Sequence, residues 1–227
     1  MSIMTSNNNI QNKYYGFFIG LYNRNKMLLT IAVVIYFASL FVGIFIGYFA
    51  SGFTGNSLTY IINGFRGIIM EITTLSIFVH NLQSILVTYI GGIILIIPVA
   101  ALAFNGFIYG AFVGYFMYGG VVSNYFVSNP VVFVIYTLPH GIFEIPSFII
   151  ASAGGLRLAT LVIGVLTSMG NETSISEHYW KLKGSLVLLA ISIILLFIAA
   201  IIEANFSVHI GNYITGLHLH SAVNINS

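Results

Sequence analysis

Long runs of apolar residues, separated by short polar stretches, make up most of this chain of 227 residues. A helix needs about 20 mainly apolar residues to cross a bilayer. The runs at 27–50, 84–103, 131–167 and 182–202 have that length, and 107–122 is a fifth, shorter run. The pattern predicts an all-α fold, in the form of a polytopic transmembrane helical bundle with about five spans.

Two interruptions of the apolar pattern predict where helices end or break. Asn105-Gly106 is a strong turn signal, so we predict two spans on either side of it instead of one. The run 131–167 is too long for one straight helix and contains Pro139, Pro146 and Gly154-Gly155, which predict a broken helix.

The segments outside these runs are more polar. In 67–83, polar residues alternate with Ile, Leu and Phe, a pattern that favours an amphipathic helix lying at the membrane interface. We predict that residues 1–26 form a cytoplasmic polar tail followed by an interfacial segment, that 27–205 form the transmembrane domain, and that 206–227 form a polar C-terminal tail. Part of that tail could fold as an interfacial helix.

Composition narrows the class of protein further. Apolar residues make up 58% of the chain and charged residues 5%, whereas a soluble protein carries about 25% charged residues. Most of the surface must therefore contact the lipid bilayer. The net charge of +2 gives no reason to expect nucleic-acid binding, and the lack of cysteine excludes disulfides and thiolate chemistry.

The positive charges near the span ends predict the orientation. Arg24 and Lys26 precede the first span, and Lys181 and Lys183 precede the last. With five spans both pairs lie on one side, which the positive-inside rule makes cytoplasmic, although Arg66 lies on the other side. We predict a multi-pass protein of the cell membrane with the N-terminus in the cytoplasm and the C-terminus outside.

Glycines at intervals of four mark two helices for close packing. The candidate packing residues are Gly43, Gly47, Gly106, Gly110 and Gly114. We predict that they pack helices together within one subunit, with a homodimer interface as the alternative.

Ionisable residues inside the apolar runs are the candidate chemistry. His140 and Glu144 are four residues apart and would share one face of a helix. Such groups usually face the interior of a bundle and pair with other polar groups. The predicted buried polar cluster consists of His140, Glu144, Arg157, Asn81, Asn105 and Glu203, in which Arg157 could form an ion pair with Glu144 or Glu203.

Three interpretations of this cluster remain open from the residues alone. It could be a hydrogen-bonded lock that holds helices in register, or part of a proton or ion pathway. It could also be a metal site for an intramembrane hydrolase, with His80, His140 and Glu144 as ligands and zinc as the cofactor. The zinc-protease motif His-Glu-x-x-His is absent from the sequence.

The stretch LPHGIFEIPSFIIASAGGLRL resembles the signature of the stage II sporulation protein M family. The matching positions are His140, Gly141, Glu144, Gly155, Leu156 and Arg157. Asn81, Asn105-Gly106 and Glu203 agree with further landmarks of that family, in the expected order.

The resemblance implies a membrane protein with about five spans. In spore-forming bacteria the family member acts with peptidoglycan-degrading partners, as an anchor or scaffold and not as the hydrolase. We therefore predict a scaffold for membrane or envelope partner proteins that is not an enzyme and has no cofactor. A proton- or ion-coupled transporter or channel that uses His140 and Glu144, and a metal-dependent hydrolase, are the alternatives.

Overall fold

Helices form the whole of the regular structure that is described. The structure, a computed structural model, describes residues 2–54, 73–119, 129–167 and 175–216. Within these ranges there is no strand, and the elements are α1 (Ser2–Thr54), α2 (Thr74–Ile90), a 3₁₀ turn (Gly91–Ile93), α3 (Ile96–Met117), α4 (Pro130–Thr167), α5 (Ile175–Asn205) and α6 (Ser207–Thr215). The predicted all-α fold is confirmed.

Five of these helices are long and apolar enough to cross a membrane. They are Tyr15–Gly52, Thr74–Ile93, Ile96–Met117, Pro130–Thr167 and His178–Asn205. The predicted number of spans is therefore confirmed for the described part of the chain.

The direction of each helix follows from its contacts. Gly106 packs on Tyr36 and Gly114 on Ile44, so α1 and α3 run parallel. Ser147 bonds to the carbonyl of Ser192, and Ser185 to that of Gly154, so α4 and α5 run antiparallel.

Further hydrogen bonds join α2 to α5. Asn205 donates to Thr74, and the hydroxyl groups of Ser185 and Tyr89 are hydrogen-bonded. Ser152 donates to the carbonyl of Pro98, and Tyr109 is hydrogen-bonded to Thr137, so α3 and α4 also run antiparallel. The five spans therefore alternate in direction. The N-terminal end of α1 lies at what we call the basic end of the bundle, and α6 lies at the opposite end, which we call the α6 end.

The break between the second and third spans lies earlier than the sequence analysis predicted. The chain turns at Gly91–Ile93 and α3 begins at Ile96, which places Pro98 in the first turn, where it removes no helical hydrogen bond. Asn105, at the predicted break, lies inside α3 and donates to the carbonyl of Ala101. The prediction of a turn at Asn105 was wrong because the amide side chain is satisfied within the helix.

The predicted break in 131–167 is also wrong. α4 runs without interruption for 38 residues and contains both Pro139 and Pro146. In lipid, an unsatisfied backbone group is costly, so the remaining helical bonds are kept around a proline. Gly154 and Gly155, which also favoured a break, instead allow the close approach of α5 and α2.

Two polar segments are more helical than predicted. α1 begins at Ser2, so helix continues through the 1–26 segment that was predicted to be a tail and an interfacial segment. Extending an existing helix into flanking residues costs little free energy, because the unfavourable nucleation step has already occurred in the apolar span. Residues 73–83, predicted as part of an interfacial helix, include the cap and first half of α2, which is long enough to span; 67–72 lie outside the described residues.

The C-terminal segment contains the short helix that was expected there. This is α6, which begins at Ser207 and ends at Thr215, while 217–227 lie outside the described residues. The division of the chain into three domains remains a prediction.

The five predicted packing glycines lie where α1 meets α3. They are Gly43, Gly47, Gly106, Gly110 and Gly114, and all are buried. The first two lie against the backbone of Phe107 and Ala111, and the last two lie against that of Leu40 and Ile44. These glycines pack α1 against α3 within one chain, and a homodimer remains a prediction.

Candidate functional site

Three helices meet around a histidine and two carboxyl groups near the α6 end. α4 places His140 and Glu144 on one face, and the last turn of α5 brings Glu203 to them. One ligand atom from each of these side chains lies within 4.8 Å of the other two. We call these residues the His-Glu-Glu cluster.

The imidazole of His140 has two polar neighbours, of which one is within hydrogen-bond distance. Its Nδ1 lies 3.0 Å from Oγ of Ser207, the first residue of α6. Its Nε2 lies 3.9 Å from Oε2 of Glu144, which is too far for a hydrogen bond. The side chains of His140 and Glu144 are only 14% and 25% exposed, so the contact is sheltered from the surroundings.

A second group of contacts holds α6 over the cluster. Tyr136 donates a hydrogen bond of 2.6 Å to Oδ1 of Asn212, and its hydroxyl lies 3.3 Å from that of Thr215. Gly211 lies against the ring of Tyr136, where a larger residue would clash. Because Tyr136 and His140 both belong to α4, α6 is attached to one face of that helix.

A pocket of about 290 Å³ adjoins His140 and Glu144, between α1, α3 and α4. The hydroxyl groups of Tyr109 and Thr137, which line it, are hydrogen-bonded to each other at 2.8 Å. Its polar lining consists of Tyr36, Asn105, Tyr109, Thr137, His140 and Glu144. The pocket can therefore accept a small polar molecule or several waters within the helical bundle.

Charges are separated along the bundle. Glu144 and Glu203 are the carboxylates whose side chains are described, and both lie in the cluster. Arg24 and Lys183 both lie over the ring of Trp180, at 5.7 and 5.0 Å from the ring centre. This is the basic end of the bundle, far from the two carboxylates.

The structure separates Arg157 from the predicted cluster. Arg157 lies on α4 roughly 20 Å from Glu144, at about 1.5 Å of rise per residue. It therefore lies toward the basic end, between Gly154, which contacts Ser185, and Gly164, which contacts Lys181. An ion pair with Glu144 or Glu203 is not formed because the helix holds these groups too far apart.

The asparagines and His80 have different positions. Asn105 lines the pocket, next to the cluster, whereas Asn81 on α2 is not among the lining residues. His80 is exposed and does not join the group of possible ligands in the described residues, where Glu203 is the third member.

Several residues of the site were missed by the sequence analysis. Ser207 and Tyr36 come from other helices, and no local spacing relates them to His140. Thr137 does carry a signal, because it precedes His140 by three residues and shares its face of α4.

Comparison with known proteins identifies the family. The pattern of the stage II sporulation protein M family matches residues 32–208. The chain belongs to this family. The matched segment begins within α1 and ends at α6, so it includes all three members of the His-Glu-Glu cluster.

One relative is an uncharacterized protein of Methanocaldococcus jannaschii. It is 30% identical over 133 residues, which are 59% of this chain and 55% of the relative. The chain thus spans about half the length of that relative. No solved structure matches the chain. Family membership and the five long apolar helices together show a multi-pass membrane protein.

Proposed function

We propose that this member of the stage II sporulation protein M family is a scaffold or anchor for partner proteins in remodelling of the membrane or envelope. The observation that supports this best is the fixed position of α6. His140 and Tyr136 attach it to α4, and Tyr213 remains 91% exposed. A rigid, exposed helix at one end of a membrane bundle is suited to contact another protein.

We further propose that the basic end faces the cytoplasm and the α6 end faces outward. Arg24, Lys26, Lys181 and Lys183 are near one end, and Lys and Arg accumulate on the cytoplasmic side of membrane proteins. On this orientation α6 would meet partners on the outer side of the membrane. The scaffold itself supplies no catalysis in this proposal.

The absence of cysteine from the sequence makes a direct test possible. A single cysteine replaces Tyr213, and a bifunctional reagent then links it to neighbouring proteins in native membranes. The matched control replaces Phe41, which is 66% exposed on the apolar surface of α1. We expect a discrete adduct of defined mass with Tyr213→Cys, and its loss when Tyr136→Phe loosens α6.

The scaffold proposal fails if both cysteine variants give the same adducts. The result would then reflect crowding in the membrane and not a docking surface on α6.

An ion-coupled transporter is the second candidate, and the pocket beside Glu144 supports it. Carboxylates inside membrane bundles often mark ion or proton paths. Glu144→Gln removes the titrating group and keeps a similar shape. If the unmodified protein in liposomes catalyses proton-coupled flux and this folded variant does not, the transporter replaces the scaffold as the function.

A further inference from the structure

The His-Glu-Glu cluster has the dimensions of a cation site. Nitrogen and oxygen ligands lie about 2.0–2.2 Å from zinc, so two ligands of one tetrahedral ion are roughly 3–4 Å apart. His140 Nε2 and Glu144 Oε2 are separated by 3.9 Å, and Glu203 completes a group within 4.8 Å. Small rotations of the two glutamate side chains would bring all three atoms onto one ion.

Ser207 supplies the support that a histidine ligand requires. A metal-binding histidine normally donates the hydrogen of its other ring nitrogen to a nearby acceptor, which fixes the ring. Oγ of Ser207 lies 3.3 Å from the carbonyl oxygen of Ile202, to which it donates. It can therefore accept from Nδ1 of His140, at 3.0 Å, and leave the lone pair of Nε2 directed at the glutamates.

The charge of the cluster requires compensation. Glu144 and Glu203 would bring two negative charges together among apolar helices, where isolated charges are expensive. The described lysine and arginine side chains near Trp180, and Arg157 on α4, lie toward the other end of the bundle. One divalent cation would make the cluster neutral with a neutral histidine.

We propose that His140, Glu144 and Glu203 bind one divalent cation of the Zn²⁺ and Mn²⁺ class. One nitrogen and two carboxylates suit these ions, because Ca²⁺ needs six to eight oxygens and Mg²⁺ prefers oxygen ligands with several waters. The ion joins α4 to the end of α5, and through Ser207 it holds α6. Three protein ligands leave a position for water, and the pocket beside His140 and Glu144 has room for it.

This site does not depend on the scaffold function, since a bound ion would fix α6 whatever partner that helix meets. The competing state of the cluster is two carboxyl groups that share a proton and need no metal. The two states differ in their response to added ions, so the test is direct binding.

The experiment uses the full chain, purified without an affinity tag in detergent and stripped with a chelator. Zn²⁺ and Mn²⁺ are titrated separately by calorimetry, with Mg²⁺ as the oxygen-preferring comparison. We expect one saturable site for Zn²⁺ or Mn²⁺, no comparable site for Mg²⁺, and loss of the site in Glu203→Gln. Hydrogen exchange of the α6 amides should slow when the ion is added.

The variant at Ser207 tests the geometry without removing a ligand. Ser207→Ala should weaken binding about 10- to 100-fold, as outer partners of metal ligands do, and Ser207→Thr should restore most of it. His209→Ala is the control, because His209 lies on α6 and is exposed. Its affinity should match that of the unmodified protein.

Two results would overturn the proposal. One is the failure of the unmodified protein to bind either ion up to about 1 mM, roughly 4 kcal/mol of binding free energy, which would favour the shared proton. The other is binding that Glu203→Gln and Ser207→Ala leave unchanged, which would assign the ion to surface histidines. Neither result affects the cross-linking test of the scaffold.

Discussion

The close contact between α1 and α3 allows the loss of stability to be predicted for a substitution at Gly110. A Cβ atom there would fall on the carbonyl oxygen of Leu40 and lie 3.0 Å from the nitrogen of Ile44. Both atoms belong to the backbone, so a rotamer change cannot relieve the clash and α1 must move away. Gly110→Ala should therefore destabilise the protein by about 1–3 kcal/mol, the usual cost of overpacking.

Gly141→Ala is the matched control. Gly141 is also inside a helix, but its added Cβ would meet only the end of Ile145, at 3.8 Å. Both substitutions gain the same helix propensity, about 0.5–1 kcal/mol, so this gain cancels in the comparison. The difference of about 1–3 kcal/mol corresponds to a change of roughly 5- to 150-fold in the unfolding equilibrium constant.

The assay is equilibrium unfolding in mixed micelles of mild detergent and dodecyl sulfate. Trp180 is the one tryptophan of the chain, so its fluorescence reports unfolding without ambiguity, and circular dichroism confirms that helix remains. If Gly110→Ala is as stable as Gly141→Ala within about 0.5 kcal/mol, which is below the smallest cost expected of overpacking, the close backbone contact between α1 and α3 is refuted.

Three further predictions test other contacts. Ser147→Ala removes the buried 2.9 Å hydrogen bond to the carbonyl of Ser192. In the same unfolding assay it should lower the free energy of unfolding by about 0.6 kcal/mol, the average for such bonds in membranes, and no change would show that this bond does not stabilise the protein. Tyr136→Phe should speed hydrogen exchange of the α6 amides while the α5 amides stay unchanged, and equal rates in α6 would contradict its attachment to α4. A cysteine at Tyr213 should react with an impermeant thiol reagent from outside intact cells and one at Tyr179 should not, whereas the reverse result would invert the proposed orientation.

The number of spans could be predicted from the sequence because it depends on the length of apolar runs. The positions of the breaks could not be predicted as well, because turn signals come from proteins in water. Asn105 shows the reason: its side chain bonds to Ala101 within α3, and lipid offers no alternative partner. In the same way Pro139 and Pro146 are retained inside α4.

The residues of the site also differ in whether their proximity could be predicted from the sequence. His140 and Glu144 are four residues apart on one helix, so their proximity could be predicted from spacing alone. Glu203 lies on α5 and Ser207 on α6, so no local spacing relates them to His140, and the packing of α4 against α5 and α6 brings them close. Glu203 was predicted as a member of the cluster because it ends an apolar run, whereas Ser207 was not predicted. The prediction that Arg157 belongs to the cluster was wrong because Arg157 and Glu144 lie on one continuous helix, which holds them far apart.

The basic residues and the two carboxylates lie toward opposite ends of the bundle, and this arrangement leaves the carboxylates next to the helix α6. An arginine beside Glu144 and Glu203 would neutralise one carboxylate and hold the other by hydrogen bonds, and the helices would then need no further partner. Arg157 lies instead near the basic end, and the two carboxylates meet at the end where α6 is attached. Any species that neutralises them, whether a proton or a metal ion, also acts on His140 and through Ser207 on α6. We therefore predict that the occupancy of the cluster and the position of α6 are coupled, so that a change in one alters the free energy of the other.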